Sequence, residues 1–121
     1  MHLLLVGISH RTAPVELRER LDFHATGLDK ALRALVRHRS AARETLILST
    51  CNRAEMYAAA DDLPAARSEL LRFFSGFHDI DPVLVAQHAY DVTDLDAARH
   101  LFRVAAGLDS LVVGEPQILG Q

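Results

Sequence analysis

The stretch LILSTCNRAEMY (46–57) holds the chain's only cysteine, Cys51, with Asn52 and Arg53 directly after it. A structural cysteine would belong inside the apolar LIL run. This one stands at the end of the run, beside a hydroxyl (Thr50), an amide and a cation. Thiolate is the nucleophilic form, and a free thiol of pKa about 8.5 is mostly protonated at neutral pH. A guanidinium two residues away favours the thiolate, because i and i+2 converge in a tight turn. The turn would also direct backbone N–H groups outward, where they could stabilise an oxyanion. The chemistry indicated is nucleophilic attack. Spacing alone leaves open a small, half-buried cysteine at a strand end.

His100 is the second candidate. A helix over 94–105 with Leu95, Ala98, Phe102 and Ala105 inward would put His100 on the opposite side, outside the core stripe. It is then either a surface histidine or a cleft residue acting as acid, base or leaving-group donor. His2, His10, His24, His38, His78 and His88 have no i,i+4 partner and no cysteine neighbour, so no zinc site is expected. Neither a G-x-G-x-x-G nor a G-x-x-x-x-G-K-[ST] phosphate loop is present, nor a G-x-S-x-G elbow. In GLDSLVVGEPQILGQ (107–121), Asp109, Ser110, Glu115, Gln117 and Gln121 interrupt short apolar runs. This reads as a loop-to-helix junction or as the polar-studded wall of a cleft.

These residues need elements to position them. LLLVGI (3–8) is an apolar run of strand length, suited to a strand covered on both faces. Pro14 opens a helix over about 14–22, capped by Thr12 or Ala13, with Val15, Leu17 and Leu21 inward and a Glu16–Arg20 pair. Thr26-Gly27 opens a second helix to about 39, with a Leu28, Leu32, Leu35, Val36 stripe. ETLILST (44–50) and AEMYAAA (54–60) form a hairpin around Cys51. DDLP starts a helix carrying Ala66, Leu70, Phe73, Phe74 and Phe77. A short helix over 82–87, a strand over 88–92 and the 94–105 helix follow; Thr93 and Asp96 form a weak capping box, and Gly107 ends the last helix. Without the accessory helices the order is β-α-β-β-α-β. The expected class is α+β, a ferredoxin-like sheet with extra helices.

The 121 residues fit one domain, and a single cysteine excludes an internal disulfide framework, so a reducing, cytoplasmic setting is expected. The apolar run at 3–8 is too short for a signal peptide or a membrane span. A net charge of −3 gives no overall attraction to nucleic acid, although residues 33–43 hold four arginines and one histidine with no acid. That cluster is either a solvated helix face or an RNA-backbone patch. Glu115-Pro116 is a helix-opening signal with only a few residues after it, so the chain is expected to end inside an element of a longer protein.

GISHRTAPVELRE (7–19), LSTCNRAEMY (48–57) and HLFRVAAGLDSLVVGEPQILGQ (100–121) together closely resemble glutamyl-tRNA reductase. That enzyme makes glutamate-1-semialdehyde for five-carbon tetrapyrrole (porphyrin) synthesis. The resemblance runs in order along the whole chain and implies that residues 1–121 are its N-terminal catalytic domain. It implies that Cys51 attacks the ester joining glutamate to tRNA(Glu), and that NADPH then reduces the thioester. It places Thr50, Asn52 and Arg53 in one substrate-contacting set, and Ser110, Glu115, Pro116, Gln117 and Gln121 in another. His100 matches a histidine important for activity, as proton donor to the ribose oxygen or as a positioning group. Arg53 offers a planar fork for the substrate's side-chain carboxylate. The NADPH-binding Rossmann domain and the dimerisation domain of the family are not in these residues. The chain alone is therefore expected to be monomeric and at most to acylate itself and hydrolyse the thioester. The longer enzyme is expected to be a homodimer that passes its product to glutamate-1-semialdehyde aminomutase. The rival classes are an RNA-binding module without chemistry and a regulatory docking fragment. Aromatic residues make up only 6% and are mostly phenylalanines expected on helices, which counts against a stacking RNA binder.

Overall fold

The computed structural model describes residues 1–23 and 27–107. Along them lie β1 (His2–Ser9), α1 (Val15–Leu21), α2 (Leu28–His38), β2 (Glu44–Ser49), β3 (Arg53–Ala60), α3 (Leu63–His78), α4 (Pro82–His88), β4 (Tyr90–Thr93) and α5 (Asp94–Ala105). The strands form one sheet in the order β2-β3-β1-β4, and every neighbouring pair is antiparallel. β1 and β2 flank β3, and β3 and β4 flank β1, so the two β-α-β units interleave. This is the ferredoxin-like α+β arrangement expected, with extra helices.

The period-2 alternation of β1 and β3 sorts the core into two layers. Leu4, Val6 and Ile8 of β1, with Ala54, Met56, Ala58 and Ala60 of β3, pack under helices α1 to α4. Leu5, Leu48 and Tyr57 face the other way, against Ala97 and Val104 of α5. Both faces of β1 are therefore covered, which explains its unbroken apolar run. Asp62 caps α3 by accepting the Ala65 N–H at 3.1 Å, and Asp81 caps α4 by accepting the Val83 N–H at 2.9 Å. Gly107 follows α5 with φ 81°, as expected of a helix-ending glycine. Among the described residues, no helix is long and apolar enough to cross a membrane.

Several local expectations are corrected. α5 does not bury Leu95 and Phe102, which are 62% and 73% exposed; Ala97 and Val104 are its buried residues. His100 shares their side of the helix, and its side chain is only 19% exposed. Thr93 makes no side-chain cap. On α2 the inward residues are Ala31 and Leu35, whereas Leu32 and Val36 lie partly in solvent. Pro14 itself occupies the cap position of α1, and Val15 is 51% exposed. Glu16 and Arg20 do not pair among the described residues. Thr26, the expected start of the second helix, lies outside the described residues.

Candidate active site

The β2–β3 turn holds the cysteine through four hydrogen bonds. Thr50 N–H donates to the Arg53 carbonyl at 2.8 Å, and Asn52 N–H donates to Thr50 Oγ1 at 3.2 Å. His10 N–H, from the loop after β1, donates to the Asn52 carbonyl at 2.8 Å. Arg18 Nη1, from α1, donates to the Cys51 carbonyl at 3.3 Å. Thr50, Asn52 and Arg53 are buried and Cys51 alone of the turn is exposed. The turn therefore presents the thiol and little else. Of the turn's backbone N–H groups, which were expected to point outward, those of Thr50 and Asn52 are turned inward, onto the Arg53 carbonyl and Thr50 Oγ1.

Cys51 borders a hollow of about 240 Å³ lined by Thr50, Arg53 and Ala54 of the hairpin, Arg18, Glu19 and Asp22 along α1, and Ile8 and Val15. A second hollow, about 170 Å³, is lined by Ser9, Arg11, Thr12, Arg53, Tyr90 and His100. Arg53 borders both. The loop wall of the second hollow is set by a tight turn in which the Ser9 carbonyl accepts the N–H groups of Thr12 and Ala13, each at 3.0 Å.

Behind Arg53 lies a buried carboxylate that spacing did not single out. Arg53, Glu55 and Tyr57 alternate along β3 and so share one face of the sheet. Glu55 has no exposed surface. Its Oε2 accepts from Arg53 Nη1 at 3.2 Å, from His100 Nε2 at 2.6 Å and from the Tyr90 hydroxyl, while Oε1 accepts from Tyr57 at 2.7 Å. Because Nε2 of His100 donates to Glu55, its 3.1 Å approach to Arg53 Nη1 joins two donors around one acceptor oxygen. Burial pushes the Glu55 carboxyl up, but hydrogen bonds from His100, Tyr90 and Tyr57, with His100 charge, outweigh it and hold the group below its ordinary value. Burial and then the Glu55 charge push the Tyr57 and Tyr90 phenols far above theirs, so both stay protonated donors. Burial, then the Arg53 charge, lowers His10. Gly7 pairs with Glu55 across the β1–β3 ladder; a Cβ there would lie 2.8 Å from Glu55 Cγ and from the Ala54 carbonyl. Glycine at that position lets the carboxylate lie flat on the sheet.

Thus Thr50, Cys51 and Arg53 are brought together, and His100 meets Arg53 from the other side. Asn52 serves the turn through its backbone. Ser110, Glu115, Pro116, Gln117 and Gln121 lie outside the described residues. Sequence reasoning missed Glu55, Tyr57, Tyr90 and Arg18. The available signal was an acid and a phenol at i and i+2 within the otherwise apolar run 54–60. No group of three or more His, Cys, Asp or Glu suited to a metal ion occurs among the described residues.

The family described as glutamyl-tRNA(Glu) reductase, N-terminal domain, matches residues 6–121. Curated relatives named glutamyl-tRNA reductase align over all 121 residues, at 52% identity in Marinobacter nauticus and 46% in Citrifermentans bemidjiense. The chain spans 28% of the length of each. The solved structure of glutamyl-tRNA reductase from Methanopyrus kandleri superposes with a TM-score of 0.68 at 37% identity, covering 98% of this chain and 26% of that one. The family match takes in nearly the whole chain, and the chain belongs to the glutamyl-tRNA reductase N-terminal domain family.

Proposed function

We propose that this chain performs the acyl-transfer half of glutamyl-tRNA reduction, with Cys51 as nucleophile. The observation that carries the reading is the isolated exposure of Cys51 on a turn otherwise buried, facing a hollow lined by Arg18 and Arg53. The Cys51 sulfur bonds to the ester carbonyl carbon of glutamyl-tRNA(Glu). The carbon–oxygen bond to the terminal ribose breaks, and the thiol's proton ends on the ribose oxygen. Water can later cleave the thioester, releasing glutamate and restoring the thiol.

Arg53 orients the glutamyl group, with Thr50 beside it and Asn52 fixing the turn. Ser110, Glu115, Pro116, Gln117 and Gln121 contribute the second contacting set that the resemblance implies. His100 acts as a positioning group, a role favoured over proton donation by the 2.6 Å bond of its Nε2 to Glu55. The resemblance implies NADPH as reductant in the longer proteins. The hollows beside Cys51 and His100, about 240 and 170 Å³, are below the roughly 300–1,000 Å³ of small-molecule sites. They do not fit a dinucleotide, and no reduction step is assigned to these residues. Homodimerisation and transfer of product to an aminomutase belong to the same proposal for the longer proteins, as does a cytoplasmic location.

The test is incubation with tRNA(Glu) charged with radiolabelled glutamate, followed by ribonuclease digestion of the tRNA and isolation of the protein on an acidic denaturing gel. Label on the wild-type chain that hydroxylamine removes, and its absence from Cys51→Ser, is the expected result. Equal labelling of both chains, or none of the wild type, overturns the reading.

A further inference from the structure

A hollow of about 470 Å³ lies between α2 and α3 and shares no lining residue with the hollows beside Cys51 and His100. Its volume falls within the roughly 300–1,000 Å³ of small-molecule sites, which theirs do not. Its apolar wall is Leu35 of α2 with Phe73 and Phe77 of α3, whose rings stack with centroids 5.3 Å apart. Gly76, three residues after Phe73, shares that side of α3. A Cβ built there would meet no heavy atom within 4 Å, so the glycine leaves the hollow open. Glycine weakens a helix interior relative to alanine, and no close contact at this position calls for it.

The charge around the hollow is one-sided. Glu69 is the only acid in its lining, and the Glu69 oxygens already accept the N–H groups of Ser40, Ala41 and Ala42 and the Ser40 hydroxyl. Arg72 and His38 also line it, keep exposed surface, and form no ion pair among the described residues. A guanidinium only donates, in a planar fork that matches a carboxylate or a similar oxyanion. The hollow thus offers a ligand aromatic surface and an uncommitted cation, and no free acid. The complementary ligand is a ring system that carries an oxyanion.

We propose that the α2–α3 hollow is a binding site for a small aromatic anion, its rings against Phe73 and Phe77 and its charged group on Arg72. The site stands apart from acyl transfer and uses none of the residues assigned to it. Anilinonaphthalene sulfonate and phenylnaphthylamine carry the same rings, only the first carries a sulfonate, and both brighten on leaving water. Wild type is expected to bind both saturably. Gly76→Leu, which fills the hollow while favouring the helix, is expected to bind neither. Arg72→Gln is expected to weaken the sulfonate about tenfold and the neutral amine less than about twofold. Arg72 is exposed, so its variant tests the site even if Gly76→Leu fails to fold. Alkylating Cys51 should leave both affinities unchanged; a loss would place the probes at the nucleophile and overturn the proposal. Wild type that binds neither probe, or binding that a folded Gly76→Leu retains, also overturns it. An equal loss of both probes in Arg72→Gln, or no loss of the sulfonate, overturns the anion assignment. Sedimentation of wild type as a dimer that Gly76→Leu turns into a monomer would make a second copy the occupant, and overturns the small-molecule site.

Discussion

Glu55 and Arg53 are 0% and 4% exposed, and a buried ion pair of this kind adds little net stability over apolar packing. Its effect is geometric: one carboxylate oxygen fixes Arg53, His100 and Tyr90 together. Removing one partner leaves the other charge buried, at a cost of about 3–5 kcal/mol. Glu55→Gln should therefore lose about that much in urea unfolding, and Arg53→Met with Glu55→Gln should recover part of it. A single variant within about 1 kcal/mol of wild type would contradict the buried pair. The exposed position of Cys51 was legible from its place at the end of an apolar run, whereas spacing alone left a bland reading open and the resemblance supplied the role expected of it and of Arg53. Glu55 was not legible. A glutamate in a strand reads as a solvent-facing residue, and only α5, distant in sequence, seals that face.

The same cause misled the reading of α5 as an element. Leu95, Ala98, Phe102 and Ala105 have helical spacing and larger side chains, but the helix turns Ala97, His100, Leu101 and Val104 toward the sheet. The facing strands present a polar cluster, so the inward stripe must include a histidine, and an apolar pattern alone selects the wrong side. The arginine-rich segment is likewise divided by its elements. Arg39 bonds Thr45 Oγ1 at 3.2 Å and Arg43 pairs with Asp61 at 2.6 Å, while Arg33 and Arg37 stay exposed on α2. The loop between α2 and β2 is tied to α3 by Glu69, which accepts from Ser40 and Ala41 N–H, from Ala42 N–H at 2.8 Å and from Ser40 Oγ at 2.9 Å. An amide has only one acceptor oxygen for these donors. Glu69→Gln is expected to cost about 1–3 kcal/mol and to speed amide exchange at Ser40, Ala41 and Ala42 before elsewhere. Unchanged exchange there would remove this clasp from the account.

For the whole molecule, strand order was legible because a short hairpin and two crossover helices leave few ways to close four strands. Its response to acid is set by groups whose environments only the fold creates. His78 lies against Phe23, Phe74 and Phe77, with ring centroids 4.7, 5.6 and 5.2 Å away, and burial lowers its pKa. A base lowered in the folded state takes up its proton more readily when unfolded. Its stabilising effect is full above the unfolded pKa of about 6.5 and is lost as pH falls toward the folded value. His10 is lowered too and acts in the same direction. Glu55 and Glu69 are acids held below their ordinary value, so their contribution is full above about pH 4.5 and disappears as pH falls through their folded values. Melting temperature should therefore fall in two stages on acidification, one beginning near pH 6.5 and one below about 4.5. Each group adds a slope of at most about 1.4 kcal/mol per pH unit. His78→Phe should flatten the upper stage without moving the lower, and Glu69→Gln should flatten the lower alone. A melting temperature constant from neutral pH to about pH 5 in the wild type would show that the aromatic pocket does not exclude the charged imidazole.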